Sequence, residues 1–296
     1  MKRTQIIAVL EVTFSVMVWG ASFVATKVAV KEAPPVTVVW LRFAIGVAIL
    51  GLATVLRKQI ALPERGEVGY LALLGFLGIS FHQWLQSTGL VTSEATTTAW
   101  IVATIPVFMA LLGWLVLAEK LSWQQVVGIA VAVVGVLVVV TKGDLTALAR
   151  GRIGTRGDFL VMLSAPNWAV FSILSRRGLQ RYPATRMMLF VMVFGWLFTS
   201  VLLIASGGLS HWPKFSLDGW LAVGFLGVFC SGLAYIFWYD ALKALPAAQT
   251  GAFLYLEPFV TVIVAALVLG EPLLGITLLG GAAILLGVWL VNRPKT

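Results

Sequence analysis

The sequence predicts an all-α integral membrane protein, with ten transmembrane helices forming a five-plus-five inverted-topology repeat around a central cavity. Three observations lead there. Of the 296 residues, 60% are hydrophobic and 11% charged, with a mean hydropathy of +0.98. A soluble domain carries about 25% charged residues, which it needs to cover a water-facing surface. Ten apolar runs follow one another, each long enough to cross the ~30 Å hydrocarbon core with its backbone hydrogen bonds made internally. Finally, the two halves of the chain repeat each other.

The runs span 6–26, 36–56, 68–90, 95–117, 123–141, 157–175, 186–205, 218–240, 247–269 and 273–291. The opening MKRTQIIAVL has the basic-then-apolar character of a signal peptide. The run is long, however, contains Glu11 and lacks a small-residue cleavage site, so it reads as a retained first helix. A single membrane domain, 1–296, is expected. Within it, 1–141 is the first five-helix repeat, 142–156 (KGDLTALARGRIGTR) a polar linker and 157–296 the second repeat.

An offset of 149 aligns Trp19 with Trp168, Lys27 with Arg176, Pro34 with Pro183, Gly46 with Gly195, and Gly75–Gly78 with Gly224–Gly227. After a short insertion the offset becomes 152, pairing Pro106 with Pro258, Glu119 with Glu271, Gly128 with Gly280 and Gly135 with Gly287. Chance apolar similarity supplies Leu and Ala matches but not Trp, Pro, Gly and Glu in order. An odd number of spans per copy makes the second copy enter the membrane from the opposite side, the architecture in which two halves rock about a midplane site. Lys and Arg favour cytoplasmic N- and C-termini by 13 against 8. The eight outer residues are Lys27, Lys31, Arg42, Lys142, Arg150, Arg152, Arg156 and Lys214.

Polar and aromatic groups at membrane depth are costly and hence functional candidates. His82, Gln83 and Gln86 lie near the middle of the third segment, and Asn167 and Trp168 follow Pro166 in the sixth. Trp100 opens the fourth segment, Tyr235, Trp238 and Tyr239 close the eighth, and Phe253 and Glu257 lead into the ninth. With Trp19 these residues are the candidate substrate-binding groups: aromatic faces for an apolar body, amide, imidazole and carboxylate groups for a polar head. Pro106 and Pro258 remove the backbone bonds to Val102 and Leu254, so they are candidate gating positions. His82 and Glu257, titratable and deep, are the candidates for a proton relay. Glu257 has Ile105 as its counterpart and breaks the repeat symmetry.

Bland roles compete with these. Trp123, Trp212, Trp220 and Trp289 sit near segment ends, as interfacial belt residues do. Glu119 and Glu271 end their segments and are expected to anchor the next helix, and Gly275, Gly280, Gly281 and Gly287 read as close helix packing. The single cysteine, Cys230, reads as a packed thiol.

Other function classes find little support. Two histidines and no HExxH argue against a metal centre, and no Walker A motif argues against ATP as the direct energy source. Gly208-Leu209-Ser210-His211 lacks the second glycine of a nucleophile turn. The excess basic charge lies between apolar runs, where it meets headgroups rather than nucleic acid. No catalytic residue, cofactor or nucleic-acid partner is expected. The expected partners are the bilayer and a small-molecule substrate, with the protein acting as a monomer.

With WGASFVATK in the first segment and a proline-then-Glu signature in the fourth and ninth, the chain resembles the drug/metabolite transporter superfamily, EamA type. HQWLQSTGLVTSEATTTAWIVATIPVF and GLAYIFWYDALKALPAAQTGAFLYLEPFVTVI are similar to YddG-like bacterial aromatic amino acid exporters. That resemblance implies an inner-membrane exporter of aromatic or apolar amino acids, related amphipathic metabolites or aromatic cations. It also implies a central cavity at Trp19, His82, Trp100, Trp168 and Tyr235–Trp238. The alternatives are a facilitator or importer of another metabolite on the same scaffold and, more remotely, a membrane enzyme acting on a lipid-linked substrate.

Overall fold

The computed structural model describes residues 3–117, 120–144, 146, 150, 153–208 and 213–293. Glu119, part of the linker, and the Leu209–Trp212 stretch holding Ser210 and His211 lie outside them. The described residues form ten helices long and apolar enough to cross a membrane, and no strand. They are α1 (Thr4–Val30), α2 (Pro35–Leu56), α3 (Arg65–Gly89), α4 (Ala95–Val116) and α5 (Trp123–Thr141). The second half supplies α6 (Arg156–Arg181), α7 (Ala184–Ala205), α8 (Leu217–Ala244), α9 (Gln249–Leu269) and α10 (Gly275–Asn292).

Helices outrun the predicted apolar segments where their ends are charged. Lys and Arg are good helix formers and need no hydrocarbon around them. Thus α1 continues through Lys27, and α6 runs on to Arg181. The start of α6 is fixed by a reciprocal cap: the Asp158 amide donates to Thr155 Oγ1 at 3.1 Å, and the Thr155 amide donates to Asp158 Oδ2 at 2.7 Å.

Packing between the halves comes in exchanged pairs. α1 packs on α8 and α9 as α6 packs on α3 and α4; α2 packs on α8 as α7 packs on α3; α2 meets α7, and α5 meets α10. Equivalent contacts use different chemistry. At an offset of 149, Glu32 corresponds to Arg181 and Ser216 to Glu67. In one copy the Ser216 amide and hydroxyl donate to Glu32 at 2.7 and 2.6 Å; in the other Arg181 pairs with Glu67. The two Ser216 hydrogen bonds, on a carboxylate outside the spans, hold Glu32 below the usual carboxylate range.

A close crossing joins α5 to α10. A Cβ added at Gly128 would sit 2.6 Å from the Gly287 carbonyl oxygen, and one at Gly135 2.7 Å from that of Gly280. Between lipid-exposed helices, where apolar side chains gain nothing from leaving water, such small residues let backbones touch. The glycine pattern of α10 is therefore packing, as read from sequence.

Four irregularities interrupt the spans. α3 and α8 widen into π-helical segments at Phe76–Phe81 and Leu226–Leu233, beside the duplicated Gly-Phe-Leu-Gly. α4 breaks into a turn at Ala103 and Thr104, and α9 tightens into a 3-10 turn at Phe253–Leu256. The last two lie immediately before Pro106 and Pro258, whose rings remove an amide donor and crowd the preceding turn. The chain expects Gly287→Val to push α5 and α10 apart and to cost about 1–3 kcal/mol, typical of overpacking. Its melting temperature in detergent should fall by several degrees, whereas Gly275→Ala, with open space at its Cβ, should melt near wild type.

Candidate functional site

Between the halves lies a cavity of about 900 Å³, walled by parts of α1, α2, α3, α4, α6, α8, α9 and α10. Its volume is at the upper end of small-molecule sites. Wall residues at the end nearest the C-terminus, Ala252, Asn292 and Arg293, are exposed, whereas those at the far end, Phe23, Thr26, Leu90 and Ala99, are buried. The cavity thus opens on the face that carries both termini and is closed toward the other.

The closed end is held by polar contacts. Lys27 Nζ donates to the Leu90 carbonyl at 3.2 Å and to that of Ser93. Ser93 Oγ donates to Asp158 Oδ1 at 2.5 Å and accepts from Thr98 Oγ1 at 3.1 Å. Glu271 accepts the amides of Ala95 and Thr96 at 2.8 and 3.0 Å, so a carboxylate from the second half caps the N-terminus of α4, where the helix dipole favours negative charge. The expectation that Glu271 anchors the next helix is corrected: its partner is α4, far away in sequence.

Aromatic rings form the middle of the wall. Trp19 donates from Nε1 to the Cys230 carbonyl at 3.1 Å, and its ring meets Tyr235 and Trp238 at centroid distances of 5.5 and 5.2 Å. Trp168, the repeat counterpart of Trp19, lies 4.6 Å from His82 and 4.9 Å from Phe171. The His82 imidazole is buried against α6 through its contact with the Trp168 ring. Cys230 is buried, its thiol directed at the Val18 carbonyl at 3.3 Å, as a packed thiol should be. Gln83, Gln86, Tyr239, Glu257, Pro106 and Pro258 also line the cavity.

Three of the candidate binding residues do not. Trp100 is buried behind the wall among Val136, Ile284 and Val288, with Gly281 leaving room for its indole and Phe259 edge-on at 5.8 Å. Asn167 donates from Nδ2 to the Leu77 carbonyl at 2.8 Å, so it serves the π segment of α3, where one carbonyl is displaced from the regular ladder. Phe253 packs with Ala8, Val12 and Val16 on the first half of α1. Trp289, read as a belt residue, lines the cavity mouth, and the Arg293 guanidinium lies 4.5 Å over its ring.

The main residue that sequence reasoning misplaced is Arg42. Assigned to the outer rim, it is instead 5% exposed inside α2 and forms part of the cavity wall. Its Nε donates to Ser231 Oγ at 3.1 Å and its Nη1 to Gln83 Oε1 at 3.0 Å, tying the π segment of α8 to the α-helical turn of α3 that follows its own π segment. Lys27 likewise belongs to the interior. The available signal was position: Arg42 is the seventh residue of the predicted 36–56 run, nearly two turns inside its start.

Glu257 is half-buried and is the one carboxylate among the described wall residues. Its backbone is clamped to α1: Thr261 Oγ1 donates to the Gly20 carbonyl at 2.7 Å, and a Cβ at Gly20 would sit 2.7 Å from the Glu257 carbonyl oxygen. The carboxylate itself makes no hydrogen bond or ion pair among the described residues.

The sequence model of the EamA-like transporter family matches this chain twice, over residues 6–141 and 155–293. An uncharacterized transporter of Archaeoglobus fulgidus is 26% identical over 95% of this chain and 96% of its own length. A probable terminal-alkyne amino-acid exporter of Streptantibioticus cattleyicolor is 29% identical over 97% of this chain and 93% of its own. The uncharacterized transporter YyaM of Bacillus subtilis is 27% identical over 91% and 88%. A solved crystal structure superposes with a TM-score of 0.67 over 96% of both chains at 21% identity, a likeness of fold. This multi-pass membrane protein belongs to the EamA-like transporter family.

Proposed function

We propose that the protein is a secondary carrier of the bacterial inner membrane that exports amino acids with aromatic or apolar side chains, and related amphipathic metabolites or aromatic cations, by alternating access. The observation that carries this reading is the aromatic-walled cavity between the two halves, open at the face of both termini and closed at the other. With the termini in the cytoplasm, that is a carrier poised to load from inside. The charge bias of 13 against 8 supports this orientation. A relative named as a probable amino-acid exporter supports the substrate class.

In this reading the halves are inverted repeats that rock about the aromatic layer. The turn at Ala103–Thr104 and the 3-10 turn at Phe253–Leu256 are the flexible points, with Pro106 and Pro258 keeping those backbones from closing into regular helix. The contacts of Lys27, Ser93 and Glu271 form the outer gate and must break for release. Glu257 and His82 are the groups through which an inward proton could be exchanged for outgoing substrate.

Three outcomes follow, each measured in proteoliposomes or membranes. Trp168→Ala and His82→Ala should each lower efflux of a transported aromatic amino acid by about tenfold with folding intact, and unchanged efflux in both would remove this cavity as the path. A cysteine introduced at Ala99, at the closed end of the cavity, should be alkylated from the outer face several-fold faster when Glu271 is also changed to Ala. Cys230, fully buried, gives little background. Finally, an acidic exterior should accelerate efflux several-fold, and equal rates with and without the gradient would exclude proton exchange.

A further inference from the structure

The charges within the spans and at their ends divide into two groups. Most are matched within the fold. Arg57 and Asp240 form a bidentate pair at 2.9 and 2.5 Å, Glu67 takes Arg177 and Arg181, Lys27 holds two carbonyls and Glu271 caps α4. Arg42 and Glu257 are the ionisable residues of the described deep wall, Arg and Glu, that have no ion-pair partner among the described residues. Arg42 is oriented by Ser231 and Gln83, neutral groups that leave its charge unmatched and its Nη2 without a protein acceptor. Glu257 is positioned by its backbone clamp to Gly20, and its carboxylate is left open to the cavity.

The two flank the same aromatic group. Both line the cavity together with Tyr235 and Trp19, and they form no ion pair with each other. Both also break the repeat, since the counterpart of Arg42 is Val191 and that of Glu257 is Ile105. One cation and one anion, each contributed by a different half and separated by an aromatic wall, are complementary to a ligand that carries both charges and an apolar body. A guanidinium recognises a carboxylate by two parallel hydrogen bonds, and a carboxylate recognises an ammonium as a point charge.

Resting on the proposed function, we infer that the cavity selects zwitterionic α-amino acids, with Arg42 receiving the carboxylate and Glu257 the ammonium while the side chain lies on the Trp19 and Trp168 rings. The ligand completes the missing ion pairs, so a molecule lacking one pole leaves a charge unmatched in a site of low dielectric. The asymmetry fixes one binding orientation, which a symmetric cavity would not. It also bridges the two halves through the substrate, linking occupancy to their relative position.

The test compares phenylalanine, phenethylamine and 3-phenylpropionate, which share the ring and differ in the poles. Binding to the purified protein is followed by tryptophan fluorescence, and efflux from loaded proteoliposomes is measured in parallel. Wild type should bind phenylalanine at least tenfold more tightly than either analogue. Arg42→Gln should erase its preference over the amine, and Glu257→Gln its preference over the acid, with melting temperatures confirming that each variant folds. Comparable binding of all three to wild type would overturn the inference without reference to any variant. So would retention of both preferences in the two variants. Efflux of phenylalanine together with either result rejects the dipolar site alone; no efflux of any of the three rejects the amino-acid reading as well.

Discussion

A charge inside a bilayer costs a few kcal/mol even by the milder insertion scales, and this constraint sorts the polar residues of the protein. Groups that hold helices together are matched by partners: Arg57 with Asp240, Glu67 with Arg177 and Arg181, Glu271 with the exposed amides of α4. Arg42 and Glu257, which have no ion-pair partner among the described residues, face the cavity. The expense of leaving Arg42 and Glu257 open is supportable only because both reach a polar space that substrate and water can enter. The rest of the fold places these two side chains in one cavity, one from each half.

The irregular backbone lies where this arrangement needs it. Arg42 is held by Ser231, inside the π segment of α8, and by Gln83, two residues past the π segment of α3, so the cation is seated beside both irregular turns. Non-helical backbone is tolerated at membrane depth when its groups are satisfied by protein or a polar cavity. Asn167 supplies one such bond, to the Leu77 carbonyl. The two proline-associated breaks lie on two other cavity helices, α4 and α9, and Val102 and Leu254, whose carbonyls lose their amide partners to Pro106 and Pro258, are both wall residues. Loose backbone and cavity wall therefore coincide in both halves.

Much of this was legible in sequence because the membrane imposes strong regularities. Span number, duplication and the proline weaknesses follow from apolar length, offset matches and a missing amide. Glu257 stood out because its counterpart is Ile105. What could not be read was the facing of individual side chains. Trp100 and Trp168 look alike in sequence, yet one turns into the α4, α5 and α10 packing, where Gly281 makes room, and the other into the cavity. Arg42 looked like a rim charge because its helix end was placed from hydropathy, which does not distinguish a residue near the interface from one turned inward. The partner of Glu271 was hidden for the same reason: a cap between distant helices leaves no local pattern.

The central claim is that Arg42 and Glu257 are opposite poles of one substrate site. A structure determined with an aromatic amino acid bound tests it most directly. The account predicts the ligand carboxylate on the Arg42 guanidinium, the ammonium at Glu257 and the ring against Trp19 or Trp168. A ligand seated elsewhere, or Arg42 and Glu257 paired directly with each other across an empty cavity, would contradict it.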